Sequence, residues 1–173
     1  MAKVIPGRFT AQNDEPFVVF LIGMRINHLF AFKRWIPTAL AMRSMLILLY
    51  RHPGIGMLGS QLFFYRRGIG VIQYWRSFEA LEQFARSKED PHLAAWRRFN
   101  RAIGTDGSVG IWHETYLVEA GQQEGVYNNM PLFGFAAATQ HVPAVGRNET
   151  ARRRLGGESE PAVPTPPNPV SSS

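Results

Sequence analysis

An α+β architecture of the ferredoxin-like, split β-α-β type is predicted by three features of the 173-residue chain. Its patterned segments run strand, helix, strand, strand, helix pair, strand, which is the order of that fold with its antiparallel four-stranded sheet. Helices cover one face of such a sheet. The strands are apolar at both parities: Val18, Phe20 and Ile22 against Phe17, Val19 and Leu21, and Leu62 and Phe64 against Phe63 and Tyr65. A second buried face implies that two sheets pack together, most simply in a twofold homodimer, a dimeric α/β barrel.

Residues 1–14 read as a loosely held N-terminal arm, and the domain proper as residues 15–140. Phe17 to Met24 is a continuous apolar run rich in β-branched and aromatic residues, the pattern of a central strand covered on both faces. Trp35 to Tyr50 follows as a helix, stopped near His52-Pro53-Gly54. Gly59 to Tyr65 and Ile69 to Trp75 form a hairpin with Arg66-Arg67-Gly68 as its turn, Gly68 supplying the positive φ. Ser77 caps a helix reaching about Ser87, with Phe78, Leu81, Phe84 and Ala85 on one face. Asp90 caps a second helix whose first position is Pro91. After a turn at Gly104 to Gly107, Val109 to Glu119 forms the last strand.

The segment Val126 to Phe135 is apolar and aromatic enough for an ordered loop that closes a pocket or wraps a partner subunit. From about residue 145 the chain turns Pro-, Ser-, Arg- and Glu-rich and loses apolar periodicity, so residues 145–173 are expected to be a disordered tail.

Hydrophobic residues make up 45% of the chain and charged residues 18%, which suits one domain with a real core. Without cysteine there are no disulfides, thiolate metal sites or covalent c-type haem attachment, so any metal must be held by His, Asp, Glu or Tyr. The net charge is +6, placed in part in Arg152, Arg153 and Arg154 of the tail and in the doublets Arg66-Arg67 and Arg97-Arg98. Neither a recognition helix nor an aromatic platform accompanies it, and no nucleic-acid partner is expected. The N-terminus lacks the apolar core of a secretory signal. The Trp35–Tyr50 stretch is short for a bilayer and contains Pro37 and Arg43, so a buried helix, no membrane insertion and a cytoplasmic location are expected.

Two histidines dominate the chemistry. Helical spacing places His92 with Ala95, Trp96, Phe99 and Ile103 on an inward face. Its place in the first turn favours neutral imidazole, the metal-binding form. Alternation puts His113 with Val109, Ile111, Thr115 and Leu117, while Trp112, Glu114 and Tyr116 point the other way. Each also reads as a hydrogen-bonded core histidine. Glu114 suits a salt bridge to Arg97 or Arg98. Arg25, at the end of the first strand, suits an anionic substrate group, a haem propionate or a surface ion pair. Tyr65, Gln73 and Trp75 can line a chamber once the hairpin turn fixes their parity. Gly68-Ile69-Gly70 lacks the context of a phosphate loop, and no nucleophile elbow appears.

The strings Tyr74-Trp75-Arg76-Ser77-Phe78-Glu79-Ala80-Leu81, His92-Leu93-Ala94-Ala95-Trp96-Arg97-Arg98-Phe99-Asn100 and Val109-Gly110-Ile111-Trp112-His113-Glu114-Thr115-Tyr116 resemble a family of monooxygenase-like proteins. That family is similar to the antibiotic-biosynthesis monooxygenases and includes a fungal terpenoid-pathway enzyme. The resemblance spans roughly residues 15 to 140 and implies the same dimeric barrel. A more distant similarity is to the haem-dependent aldoxime dehydratases, where a helix histidine is the proximal haem ligand and a His-Glu pair on the next strand supplies the distal histidine. Carried over, it implies haem b held by His92 and His113 as the distal acid–base group; Trp96, on the face of His92, and Arg25, at its strand end, are expected as further cofactor-binding residues from their own positions. The expected function is a monooxygenase-like oxidoreductase acting on a small apolar substrate, with a cofactor-free variant in the same class. The alternatives are an aldoxime dehydratase-like lyase and a non-catalytic carrier of haem or a lipophilic ligand. A regulatory protein acting through its basic tail is a further reading.

Overall fold

The computed structural model describes residues 2–86, 104–163 and 165–169. Its strands, in chain order, are β1 (Ile5–Gln12), β2 (Phe17–Ile26), β3 (Met57–Tyr65), β4 (Gly68–Trp75), β5 (Val109–Val118), β6 (Tyr127–Met130) and β7 (Gln140–Pro143). The longer helices are α1 (Phe32–Arg51) and α2 (Phe78–Arg86). The helix expected from Asp90 lies outside the described residues. Two compact units result, Val18–Tyr116 and a second formed from the flanking segments.

The first unit holds the four-stranded sheet, ordered β3-β4-β2-β5, with β2 and β3 both antiparallel to β4. This is the ferredoxin-like α+β arrangement: the strands before and after the hairpin turn sit as edge and centre, and the last strand joins the first. On the helix face, Val18, Phe20, Ile22 and Met24 of β2 lie opposite Trp75, Gln73, Val71 and Ile69 of β4. Ile22, Met24, Val71 and Val109 pack with Met42 of α1, and Val18, Trp75 and Leu81 pack with Leu49. Burying each such side chain contributes roughly 1.5–3 kcal/mol.

Helix α1 turns Thr38, Met42 and Leu49 inward at helical spacing. The fully buried Thr38 hydroxyl donates to the Arg34 carbonyl at 2.9 Å, so its polarity costs little. Pro53 follows the helix, and the His52 N–H closes on the Leu48 and Leu49 carbonyls. Helix α2 is capped as expected: Ser77 Oγ accepts the Ala80 N–H at 3.2 Å.

The opposite face of the sheet is built from aromatic rings laid over glycines. A Cβ on Gly23 would stand 2.6 Å from the Trp112 indole, one on Gly68 2.2 Å from the Tyr65 ring, and one on Gly70 2.3 Å from Phe63. Trp112 Nε1 donates to Tyr65 Oη at 2.7 Å, and that hydroxyl donates to the Met24 carbonyl at 2.8 Å. This corrects the hairpin turn. Tyr65 pairs with Gly68, and the positive φ, 64°, belongs to Arg67. Gly68 is glycine because a ring needs its space. The left-handed Arg67 is held by its carbonyl, which accepts the Ile26 N–H at 2.7 Å, and by its guanidinium on the Asn27 carbonyl.

In the second unit, residues expected as a loose arm instead form β1, the centre of a three-stranded sheet β6-β1-β7. The segment expected as an ordered loop supplies β6 and the start of a short helix, Gly134–Ala138. Phe17 stacks on Phe135 with ring centroids 4.1 Å apart, and the buried Thr10 hydroxyl donates to the Gly125 carbonyl at 2.7 Å. The expected disordered tail carries a helical turn, Ala151–Arg154. Arginines hold it: the Arg154 side chain, 6% exposed, pairs with Glu124 and donates to the Asn148 carbonyl at 2.6 Å. Asn168 hydrogen-bonds the backbone of Arg8 in both directions. Such polar tethers leave no apolar period in a sequence.

Candidate functional site

A cavity of about 350 Å³ lies between the sheet's helix face and helices α1 and α2. Its floor is Phe20, Ile22, Val71 and Ile111, its α1 wall Met42, Met45, Leu46 and Leu49, and its α2 wall Phe78, Leu81, Phe84 and Ala85. The walls follow from period: alternate strand residues and an i, i+3, i+4, i+7 helix stripe all point to one space. All four α2 residues expected on one face are there.

A few polar groups enter this apolar lining. Gln73, 6% exposed, accepts the Trp75 indole N–H on Oε1 at 2.9 Å. An indole nitrogen only donates, so the amide oxygen faces Trp75 and the amide NH₂ remains a donor. The register settles the parity left open by the sequence: Gln73 and Trp75 stand on the cavity side and Tyr65 on the other. His113 lines the cavity with Ile111 and Thr115, as alternation predicts. Its ring lies 5.7 Å from Phe20, tilted by 41°. It is exposed rather than enclosed, and among the described residues no hydrogen bond fixes its tautomer. Glu82 and Arg86 also line the cavity and form an i, i+4 ion pair at 3.2 Å. Sequence reading missed this pair, although its spacing on the face of Phe78 and Ala85 was available.

The other expected residues do not converge here. Arg25 is exposed on β2 at the parity of Val19, Leu21 and Gly23, opposite Gly68, and so on the far face of the sheet. Glu114 also lies on that far face, where its carboxylate accepts the Tyr116 hydroxyl at 2.7 Å and raises the Tyr116 pKa. The expected partners Arg97 and Arg98, like His92 and Trp96, lie outside the described residues. Among the described residues no cluster of three or more His, Asp or Glu stands ready for a metal ion.

Two solved structures share the fold, and a third resembles it more weakly. An aldoxime dehydratase in complex with butyraldoxime superposes with TM-score 0.60 at 19% identity, covering 79% of this chain and 43% of that one. A second aldoxime dehydratase gives 0.55 at 20% identity, covering 79% and 44%. The chain thus spans less than half the length of these dehydratases. SnoaB, a cofactor-independent oxygenase from Streptomyces nogalater, gives 0.40 at 14% identity, covering 58% and 90%. No curated protein matches the sequence. A family model does match, over residues 17–135, the stretch that carries the split β-α-β sheet, both cavity helices and His113, and the chain therefore belongs to the monooxygenase af470-like family.

Proposed function

We propose that the chain is an oxidoreductase of monooxygenase type that takes a small apolar substrate into the cavity beneath α1 and α2. The observation that carries this reading is the cavity itself: apolar on floor and walls, with the His113 imidazole at its edge. Such a lining holds an apolar molecule by burial, and isolated polar groups orient it. His113 is the acid–base group, since imidazole exchanges protons near neutral pH and here faces the cavity. The Gln73 amide, locked by Trp75, is a directed donor for a carbonyl or hydroxyl oxygen of the substrate.

Two features of the lining support haem b as the cofactor: apolar walls suited to a flat macrocycle, and the His113 imidazole, free of hydrogen bonds among the described residues. His92 would hold the iron; of the other two residues expected at the cofactor, Trp96 lies outside the described residues and Arg25 lies on the opposite face. When bound, haem would supply oxygen activation. The chain's own residues bind and orient the substrate and move a proton at the His113 ring. A second reading, dehydration of an aldoxime, draws on the butyraldoxime complex of the structural neighbour. We further propose a homodimer through the sheet face that carries Leu21, Phe63 and Trp112, and a cytoplasmic location.

The test is a haem titration of the purified protein followed by visible absorption, with His92→Ala alongside. A stoichiometric Soret shift, lost or altered in the variant, supports the haem-bound form, and product analysis then separates oxygenation from dehydration. No shift in the wild type eliminates haem and leaves the cofactor-free oxygenase. Absence of turnover on any substrate, with ligand binding retained, would reduce the protein to a carrier.

A further inference from the structure

We propose that the loop before α1 and the outer face of that helix form a docking surface for an anionic lipid bilayer, on which the protein adsorbs without crossing it. The inference is independent of the reaction assigned to the cavity.

Charge is the first observation. Between Pro16 and Phe78 the sequence has eight Lys or Arg residues and no Asp or Glu, whereas the rest of the chain has more acid than base. The net charge of +6 thus resides in this stretch rather than in the arginine-rich tail. Lys33 and Arg43 stand exposed on α1 itself.

Apolar exposure coincides with part of that charge, Lys33, Arg34 and Arg43 of α1. Phe30 is 89% exposed, and Leu29 and Phe32 beside it are about half exposed. Along α1, Ile36, Leu40, Ile47 and Tyr50 are exposed at helical spacing. The opposite stripe of the same helix, Met42, Met45 and Leu49, is consumed by the core and the cavity. Apart from the Tyr50 hydroxyl, which hydrogen-bonds Ser60 of β3 at 2.9 Å, the outer stripe serves neither.

The loop is also pre-formed. Trp35 Nε1 donates to the Leu29 carbonyl at 3.0 Å, the Ala31 N–H reaches the His28 carbonyl at 3.1 Å, and the His28 N–H reaches the Ser108 carbonyl at 3.2 Å. The rings of Phe30, Phe32 and Trp35 follow one another at 6.3 and 5.8 Å. Little conformational freedom remains to be lost on docking.

A bilayer surface accepts this combination: aromatic and aliphatic side chains enter the headgroup–acyl boundary while cations meet anionic headgroups. A second copy of the same face would set Lys33 and Arg43 against their own copies, and the nearby carboxylate of Asp106 is already paired with Arg34 at 3.1 Å. A nucleic acid would match the charge and leave Leu29, Ile36, Leu40 and Ile47 in water. Spanning is excluded for the described helices, none of which is long and apolar enough to cross.

The experiment is co-sedimentation of the full chain with vesicles of phosphatidylcholine alone or of equimolar phosphatidylcholine and phosphatidylserine. Binding is expected to the anionic vesicles and to weaken with salt. The double variant Leu29→Ser/Phe30→Ser should lose about tenfold or more in partitioning, and Lys33→Gln and Arg43→Gln about fivefold each. All four side chains are exposed, and circular dichroism verifies that the variants fold. Failure of the wild type to bind anionic vesicles overturns the proposal, as does equal binding to neutral ones or wild-type binding by the serine variant. A wild-type oligomer that the serine variant dissociates would assign the face to a second copy and overturn it as well.

Discussion

Trp75 and Gln73, two residues apart on the same face of β4, are joined by a 2.9 Å hydrogen bond from the indole N–H to the amide oxygen, and both side chains are almost wholly buried. The pair ties the core to the cavity, because Trp75 packs against Phe84 at 5.5 Å while Gln73 lines the pocket. Gln73→Leu leaves a buried indole N–H without its acceptor. It is expected to lower stability by about 1–3 kcal/mol, read as a lower urea midpoint. An unchanged midpoint would show that the indole has another acceptor.

Gly23→Ala drives a Cβ into the Trp112 indole, which its hydrogen bond to Tyr65 holds in place. The expected cost is roughly 1–3 kcal/mol, with altered tryptophan fluorescence as the ring is displaced. Gly110→Ala is the control: its added Cβ would come no nearer than 3.5 Å to any neighbour.

On the functional reading, His113→Ala should reduce turnover by about 10²–10⁴-fold while leaving ligand affinity within a few-fold. Phe20→Leu, which alters only the ring beside it, should change KM more than kcat. Steady-state kinetics on the identified substrate separates the two effects.

The proposed dimer has its own test. Leu21 stands on the aromatic face of β2, and Leu21→Glu there would bury a carboxylate at the contact between sheets. Analytical ultracentrifugation should show a dimer for the wild type and a monomer for the variant. Two monomers, both folded, would remove the barrel assembly.

His141 gives a pH signature. Burial lowers its pKa from 6.5, and its ring stacks on Phe9 at 4.3 Å. The unfolded chain therefore takes up the proton first as pH falls. The stability contributed by the neutral ring is fully present above 6.5 and is lost as pH falls from there through the lower folded value. His141→Phe should flatten this dependence in denaturation curves recorded on either side of 6.5. An unaltered slope in that variant would place the titration elsewhere.

The sheet and its helices were legible because their signals are local and periodic. The continuous apolar run from Phe17 to Met24, the Ser77 cap and the α2 stripe each carry their own evidence, and alternation along Val109 to Glu119 placed His113 on its true face. Arg25 was misplaced because a residue at a strand end was judged by its chemistry and not by its parity, which β2 already defined. The turn at Arg67 was missed because the glycine beside it serves Tyr65. β1 and the arginine-held tail escaped because four-residue partner strands and carboxylate tethers impose no apolar rhythm.

Strand order has a consequence for how the cavity is made. β3 and β4 join through a two-residue turn, but β5 reaches β2 only after more than eighty residues of intervening chain. During synthesis from the N-terminus, the hairpin can close while the wall bearing His113 has yet to leave the ribosome. A molecule that fits the finished cavity therefore acts on the last step of assembly, locking in β5 by mass action. Cells short of that molecule should accumulate chains whose hairpin is formed and whose final strand still opens to proteases.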